Sequence, residues 1–313
     1  MGTSDNDTLN QQRLRRRRVN RMKKAIVITI VVWMLGSLIA IVLLSVGMIS
    51  LQRQLKNITT QLNAYEGMIP GTEREENVSS VNDTQDSEVL SGIDDPENLA
   101  KEGDTHQVYL TFDGGPTENT EEILDILQTY QIKATFFVVG NPSEENEAIY
   151  KRIKDEGHTL GMRSYSNSFS TIYSSVDAFT TDYDLIHGYL NEVTEEDCKL
   201  YRFPGGSGNT VTNVDMREFA KVLKDKGVTY FDWNVSAGDA TNDYTSQDVV
   251  DNVVAGVQKY KTSVVLLHDG EGKENTVAAL GTLIETLQQQ NVQLLPIDEN
   301  TKVIQYLKED SIE

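Results

Sequence analysis

Four stretches of this 313-residue chain place an ionisable side chain at or near the end of an apolar, strand-like run. Val108-Tyr109-Leu110 leads into Thr111-Phe112-Asp113-Gly114-Gly115-Pro116, after which a helical pattern opens. Arg202 begins the run Arg202-Phe203-Pro204-Gly205-Gly206. Asp239 closes Trp233-Asn234-Val235-Ser236-Ala237-Gly238-Asp239, and His268 closes Leu266-Leu267-His268. Carboxylates and an imidazole can move protons, and a guanidinium can hold a carboxylate in its charged form.

Taken in order, these stretches resemble the motifs of the polysaccharide deacetylase family, the NodB-like carbohydrate esterases. That family reads T-F-D-D-G-P at Thr111 to Pro116, R-x-P-x-G at Arg202 to Gly206 and L-x-H at Leu266 to His268. The likeness covers about residues 106–300. It implies hydrolysis of the N-acetyl group of a sugar by a water that a divalent metal such as zinc activates. It also implies roles: Asp113 as base, His268 as acid, and Arg202 with Asp239 as the pair that tunes them. A backbone N–H near Tyr165 would hold the oxyanion. Substrate contacts are implied at Tyr165, Pro204, Gly205, Trp233 and Leu266.

The metal ligands depart from that pattern. Gly114 stands where the family has its second Asp. The family's H-S-x-x-H stretch reads Arg163-Ser164-Tyr165-Ser166-Asn167. Glycine has no donor, arginine is a permanent cation, and asparagine offers only a neutral amide oxygen. The remaining histidines, His106, His158 and His187, have no ligand spacing beside Asp113. The expected cofactor is therefore none. Two readings of Arg163 stand side by side: its guanidinium fills the metal's volume and pairs with Asp113, or it turns out to solvent.

Elements must hold these residues. Strand-like runs at 107–112, 133–139, 158–162, 199–203, 228–235, 263–268 and 292–297 alternate with helical periodicity. Strands alternating with helices predict an α/β fold with a parallel sheet. About seven βα units fit an incomplete (β/α) barrel, the fold the resemblance also implies; the pattern alone equally allows an open doubly wound sheet. Phe169, Tyr173, Phe179 and Tyr183 suit either packing or a sugar-stacking groove.

The N-terminal third reads differently. Residues 1–24 form a basic tail, and Ala25 to Ile49 is a charge-free run long enough to span a bilayer as a signal anchor over 25–50. Eight basic residues precede it, which predicts a cytoplasmic N-terminus and an extracytoplasmic C-terminal domain at the cell membrane. Residues 51–66 carry a short heptad-like seam, a candidate homodimer contact through 51–65. Residues 67–105 read as a disordered acidic linker, and 106–313 as the folded domain. Net charge is −20, with +6 on residues 1–50 and −26 on the rest, so bulk charge does not favour nucleic acid. The single cysteine, Cys198, excludes an internal disulfide and reads as a small apolar strand residue. The expected function is a cell-wall glycan-binding or regulatory module on a deacetylase fold that has lost its metal. The alternatives are an active N-deacetylase of peptidoglycan or a chitin-like glycan, and a protein-interaction scaffold.

Overall fold

The computed structural model describes residues 95–212, 214–241, 243–290 and 292–307. The basic tail, the 25–50 span, the 51–66 stalk and most of the linker lie outside the described residues. Among the described residues no helix is long and apolar enough to cross a membrane.

Eight parallel strands form one sheet: β1 His106–Asp113, β2 Thr135–Val139, β3 Thr159–Ser164, β4 Leu200–Tyr201, β5 Thr229–Tyr230, β6 Val235–Ser236, β7 Thr262–His268 and β8 Val292–Leu294. The order runs β5-β4-β3-β2-β1-β7-β6. β1 pairs with β7 at Gln107–Asp113, with β8 at His106–Val108 and with β2 at Thr111–Asp113. Helices α1 Glu118–Tyr130, α2 Glu144–Asp155, α3 Phe169–Ile172, α4 Val176–Thr194, α5 Met216–Asp225, α6 Ser246–Val257 and α7 Glu274–Gln288 fill the crossovers. This is the incomplete (β/α) barrel; the open doubly wound sheet does not occur.

Strand periodicity builds two cores. Val108, Leu110 and Phe112 of β1 and Val265 and Leu267 of β7 face the helices, while Tyr109, Val264 and Leu266 face the barrel interior with Phe137, Phe231 and Trp233. Successive side chains point to opposite faces, so both sets come from the same strands.

Two expectations change. The single run read at 228–235 is two short strands, β5 and β6, which do not pair with each other. Between them the chain bonds to the C-terminal segment instead: Asp232 N donates to Ile304 O at 2.8 Å, and Asp232 Oδ2 accepts from Tyr306 N at 2.7 Å. The linker also ends before residue 105. Asn98 is buried and bonds Thr262 twice, accepting its N–H at 3.0 Å and donating to its carbonyl at 2.9 Å. That exchange docks residues 95–104 against the start of β7 despite their polar composition.

Candidate functional site

The inward-facing register carries the chemistry to one end of the barrel. Tyr109, Thr111 and Asp113 alternate along β1, so Asp113 ends that strand on the interior face. By the same alternation Arg163 on β3, Arg202 just after β4 and His268 at the end of β7 share that face. All four lie at C-terminal strand ends, where barrels of this kind assemble sites.

Asp113 is held by Arg202. Its Oδ1 accepts from Arg202 Nη1 at 2.8 Å, and both side chains are buried. The guanidinium is anchored on every side: Nη1 also donates to Thr111 Oγ1 at 2.6 Å, Nε to Phe231 O at 2.9 Å and Nη2 to Asp232 O at 3.2 Å. It lies 4.1 Å from the centroid of the Phe137 ring. Gly161 makes that ring position possible, because a Cβ there would stand 2.7 Å from the ring edge.

Arg163 approaches the same carboxylate from the other side. Its Nε stands 3.5 Å from Asp113 Oδ2, with the arginine side chain 13% exposed. Nε is buried and lacks hydrogen-bond geometry, so the contact is an ion pair. Nη1 donates to Asn167 Oδ1. Of the two readings left by the sequence, Arg163 turned to solvent does not occur. Gly114 adopts φ 102°, and a Cβ built there would meet nothing nearer than 4.0 Å.

His268 and Asp239 form a second pair. Nδ1 of His268 lies 2.8 Å from Asp239 Oδ1, and Asp239 Oδ2 accepts the His268 backbone N–H and the Thr276 hydroxyl, each at 2.8 Å. Burial pushes the Asp239 carboxyl up, but the His268 charge and these hydrogen bonds outweigh it and hold it below the usual range. Lys273 secures the loop: its buried ammonium donates to the carbonyls of Asp239, Ala240 and Thr241 at 2.8, 2.9 and 3.2 Å.

The implied substrate contacts have other partners. The amides of Tyr165 and Ser166 donate to the two carboxylate oxygens of Asp182, at 2.9 and 2.8 Å. Neither N–H is left to stabilise an oxyanion. Trp233 and Leu266 are 1% exposed inside the barrel core. The Pro204 carbonyl accepts from the Tyr173 hydroxyl at 2.8 Å, and Gly205 takes φ 76° against the Phe169 ring. Tyr173, Phe179 and Tyr183 are buried packing residues; Phe169 is half-buried.

Sequence reasoning missed Asp269. It follows His268, is fully buried, and accepts from Gly115 N and Thr120 Oγ1, each at 2.7 Å. It thereby stitches β7 to the Asp113 loop. Burial pushes its carboxyl up to about 6, against those two hydrogen bonds, and the Asp113 charge adds to the rise. The one available signal was a charge directly after an apolar run. Elsewhere, His106 Nδ1 lies 2.9 Å from Tyr260 O and His187 Nε2 lies 2.8 Å from Asp197, both away from Asp113. Cys198 is buried, and burial pushes its thiol up to about 12, so it is inert packing.

Comparison with known proteins agrees with this arrangement. Residues 100–231 match the polysaccharide deacetylase family. The polysaccharide deacetylase-like protein YheN of Bacillus subtilis is 30% identical over 208 residues, which cover 63% of this chain and 71% of that one. The chain belongs to the polysaccharide deacetylase family. A peptidoglycan-N-acetylglucosamine deacetylase of Bacillus cereus is 30% identical over 58% of this chain and 65% of its own length. The catalytic domain of a peptidoglycan N-acetylglucosamine deacetylase from Eubacterium rectale superposes with a TM-score of 0.61 at 35% identity, covering 67% of this chain and 98% of that domain.

Against the deacetylase pattern, the residues at the metal-ligand positions do not fit an ion. Gly114 offers no donor. The Arg163 cation lies 3.5 Å from the one carboxylate that remains. Asn167 turns its oxygen, the only useful donor it has, toward Arg163. A cation in that volume would meet a fixed positive charge instead of imidazole lone pairs. Among the described residues no three His, Cys, Asp or Glu side chains gather to hold a metal.

Proposed function

We propose that this member of the polysaccharide deacetylase family is a membrane-anchored, extracytoplasmic module that binds cell-wall glycan without metal-dependent deacetylation. The carrying observation is the ion pair between Arg163, at one of the family's ligand positions, and Asp113, at the family's base position. It supplies the charge a metal would otherwise place beside Asp113. It supplies neither a nucleophile nor a Lewis acid, and without both, amide hydrolysis is very slow. The charge-free run at 25–49 behind eight basic residues supports the anchor and its orientation. Relatives named for peptidoglycan N-acetylglucosamine support a cell-wall glycan as partner.

The test is to incubate the full-length chain with peptidoglycan and with N-acetylglucosamine oligomers. The proposal expects retention on the glycan and no acetate above background, with or without added zinc. A second reading, an active N-deacetylase, is favoured by one feature: Asp113, Arg202, His268 and Asp239 stay assembled as two bonded pairs. Metal-stimulated acetate release that Asp113→Asn abolishes would establish that reading instead.

A further inference from the structure

Hydrogen-bond donors without acceptors gather at the family's ligand positions. Arg163 Nε lies 3.5 Å from Asp113 Oδ2, and Nη1 donates to Asn167 Oδ1. Nη2 makes no hydrogen bond among the described residues. Asn167 spends its oxygen on the arginine, so its NH2 group keeps both hydrogens, and no described residue accepts them. The backbone fixes this arrangement. Asn167 takes φ 50°, a left-handed conformation that asparagine tolerates, and its N–H donates to Ser164 Oγ at 2.9 Å. Asp182, the carboxylate on this loop, spends its two oxygens on the amides of Tyr165 and Ser166.

The charge balance at these donors favours an anion. Two guanidiniums, Arg163 and Arg202, flank the single Asp113 carboxylate, which leaves the trio one positive charge. Arg202 is fully buried with all three nitrogens engaged, so the excess is presented at Arg163. Asn167 also lines a cleft of about 550 Å³, within the usual small-ligand range of roughly 300–1,000 Å³. Phe169, Val211 and Val214 give that cleft apolar surface, and none of its lining side chains is charged.

We propose that Arg163 and Asn167 form a carboxylate-binding site for a small organic monoanion whose apolar body lies in the cleft. The planar guanidinium and the amide NH2 match the planar, acceptor-only carboxylate. A dianion such as phosphate would meet the Asp113 charge, which a single spare cation does not offset. Histidines at positions 163 and 167 would present lone pairs to a metal; the arginine and asparagine present hydrogens to an oxyanion instead. The site does not depend on glycan binding.

The experiment measures binding of benzoate, benzamide, glucuronate and inorganic phosphate to the full-length chain by calorimetry, at neutral pH and constant ionic strength. Benzoate should bind, and benzamide, its uncharged counterpart, should bind roughly tenfold more weakly or less. Asn167→Asp should weaken benzoate by roughly tenfold while keeping the parent's melting temperature, because aspartate tolerates the same backbone and still pairs with Arg163. Arg163→Gln should weaken it at least as much. Lys199→Gln removes an exposed cation elsewhere and should leave benzoate binding unchanged. Equal binding of benzamide, or benzoate binding that Asn167→Asp leaves untouched, would overturn the site. Tighter binding of phosphate would overturn the monoanion class. Glucuronate binding tighter than benzoate would keep the carboxylate site and overturn the apolar body. No benzoate binding by the parent would overturn the proposal outright, whereas retention on peptidoglycan tests the glycan reading separately.

Discussion

Arg163 donates from Nη1 to Asn167 Oδ1, so the two positions that carry histidine ligands in the family are bonded to each other. A metal site needs those positions to converge on a shared ion. Here one position supplies the cation and the other is its acceptor.

The Arg163 contact should matter for stability, though less than Arg202. Arg163→Ala leaves Asp113 still paired with Arg202, so the expected loss is about 1–3 kcal/mol. Arg202→Ala removes the partner that holds a buried carboxylate and should cost about 3–5 kcal/mol. Urea unfolding of the two variants checks both figures. An Arg163→Ala loss within error of zero would show that the ion pair contributes nothing.

Rebuilding the ligand set meets a backbone obstacle. Gly114→Asp, Arg163→His and Asn167→His together should introduce zinc-dependent thermal stabilisation. Space is not limiting at Gly114, but φ 102° is, because a side chain there is strained by about 1–3 kcal/mol. Gly114→Ala alone should therefore lower stability by about that amount. An unchanged melting temperature for Gly114→Ala would show that the loop relaxes freely.

His158 gives a pH signature. Its Nδ1 accepts the Ala134 N–H at 3.1 Å, and burial, with Lys133 and Arg152 nearby, lowers its pKa to about 4. A histidine depressed in the folded state contributes stability above its ordinary pKa of about 6.5, and that stability is lost as pH falls through about 4. The imidazole resonances should stay those of the neutral ring down to near pH 4. Titration near 6.5 would contradict the buried acceptor role.

Asp269 works in the opposite direction. Its folded pKa is raised to about 6, so its contribution is full below the ordinary carboxylate value and is lost as pH rises through about 6. Asp269→Asn should gain on the parent between pH 4 and 6, at up to about 1.4 kcal/mol per pH unit. A difference independent of pH would mean that Asp269 ionises normally inside the fold.

The parts legible in sequence are those carried by strand-like runs and by the motifs at their ends. Asp113, Arg202 and His268 were marked by family motifs at the ends of apolar runs, Arg163 by its place at a ligand position, and the resemblance together with the count of βα units pointed to the barrel; alternation along the strands explains why all four share the inward face. Asp182, Asp269 and Lys273 were not legible, because their partners are backbone groups brought close only by folding. The Asp182 carboxylate meets amides at 165 and 166, and the Lys273 ammonium meets carbonyls at 239 to 241. The break within 228–235 was hidden for a related reason. Asp232 holds Ser207 and the C-terminal Tyr306, contacts that no local pattern encodes.

The central claim is that a guanidinium and not a metal stands beside Asp113. Calorimetric titration of the full-length chain with zinc tests it most directly. The account predicts no stoichiometric binding at micromolar zinc, and zinc binding only in the triple Gly114→Asp, Arg163→His, Asn167→His variant. One zinc bound per unmodified chain, lost on Asp113→Asn, would contradict it.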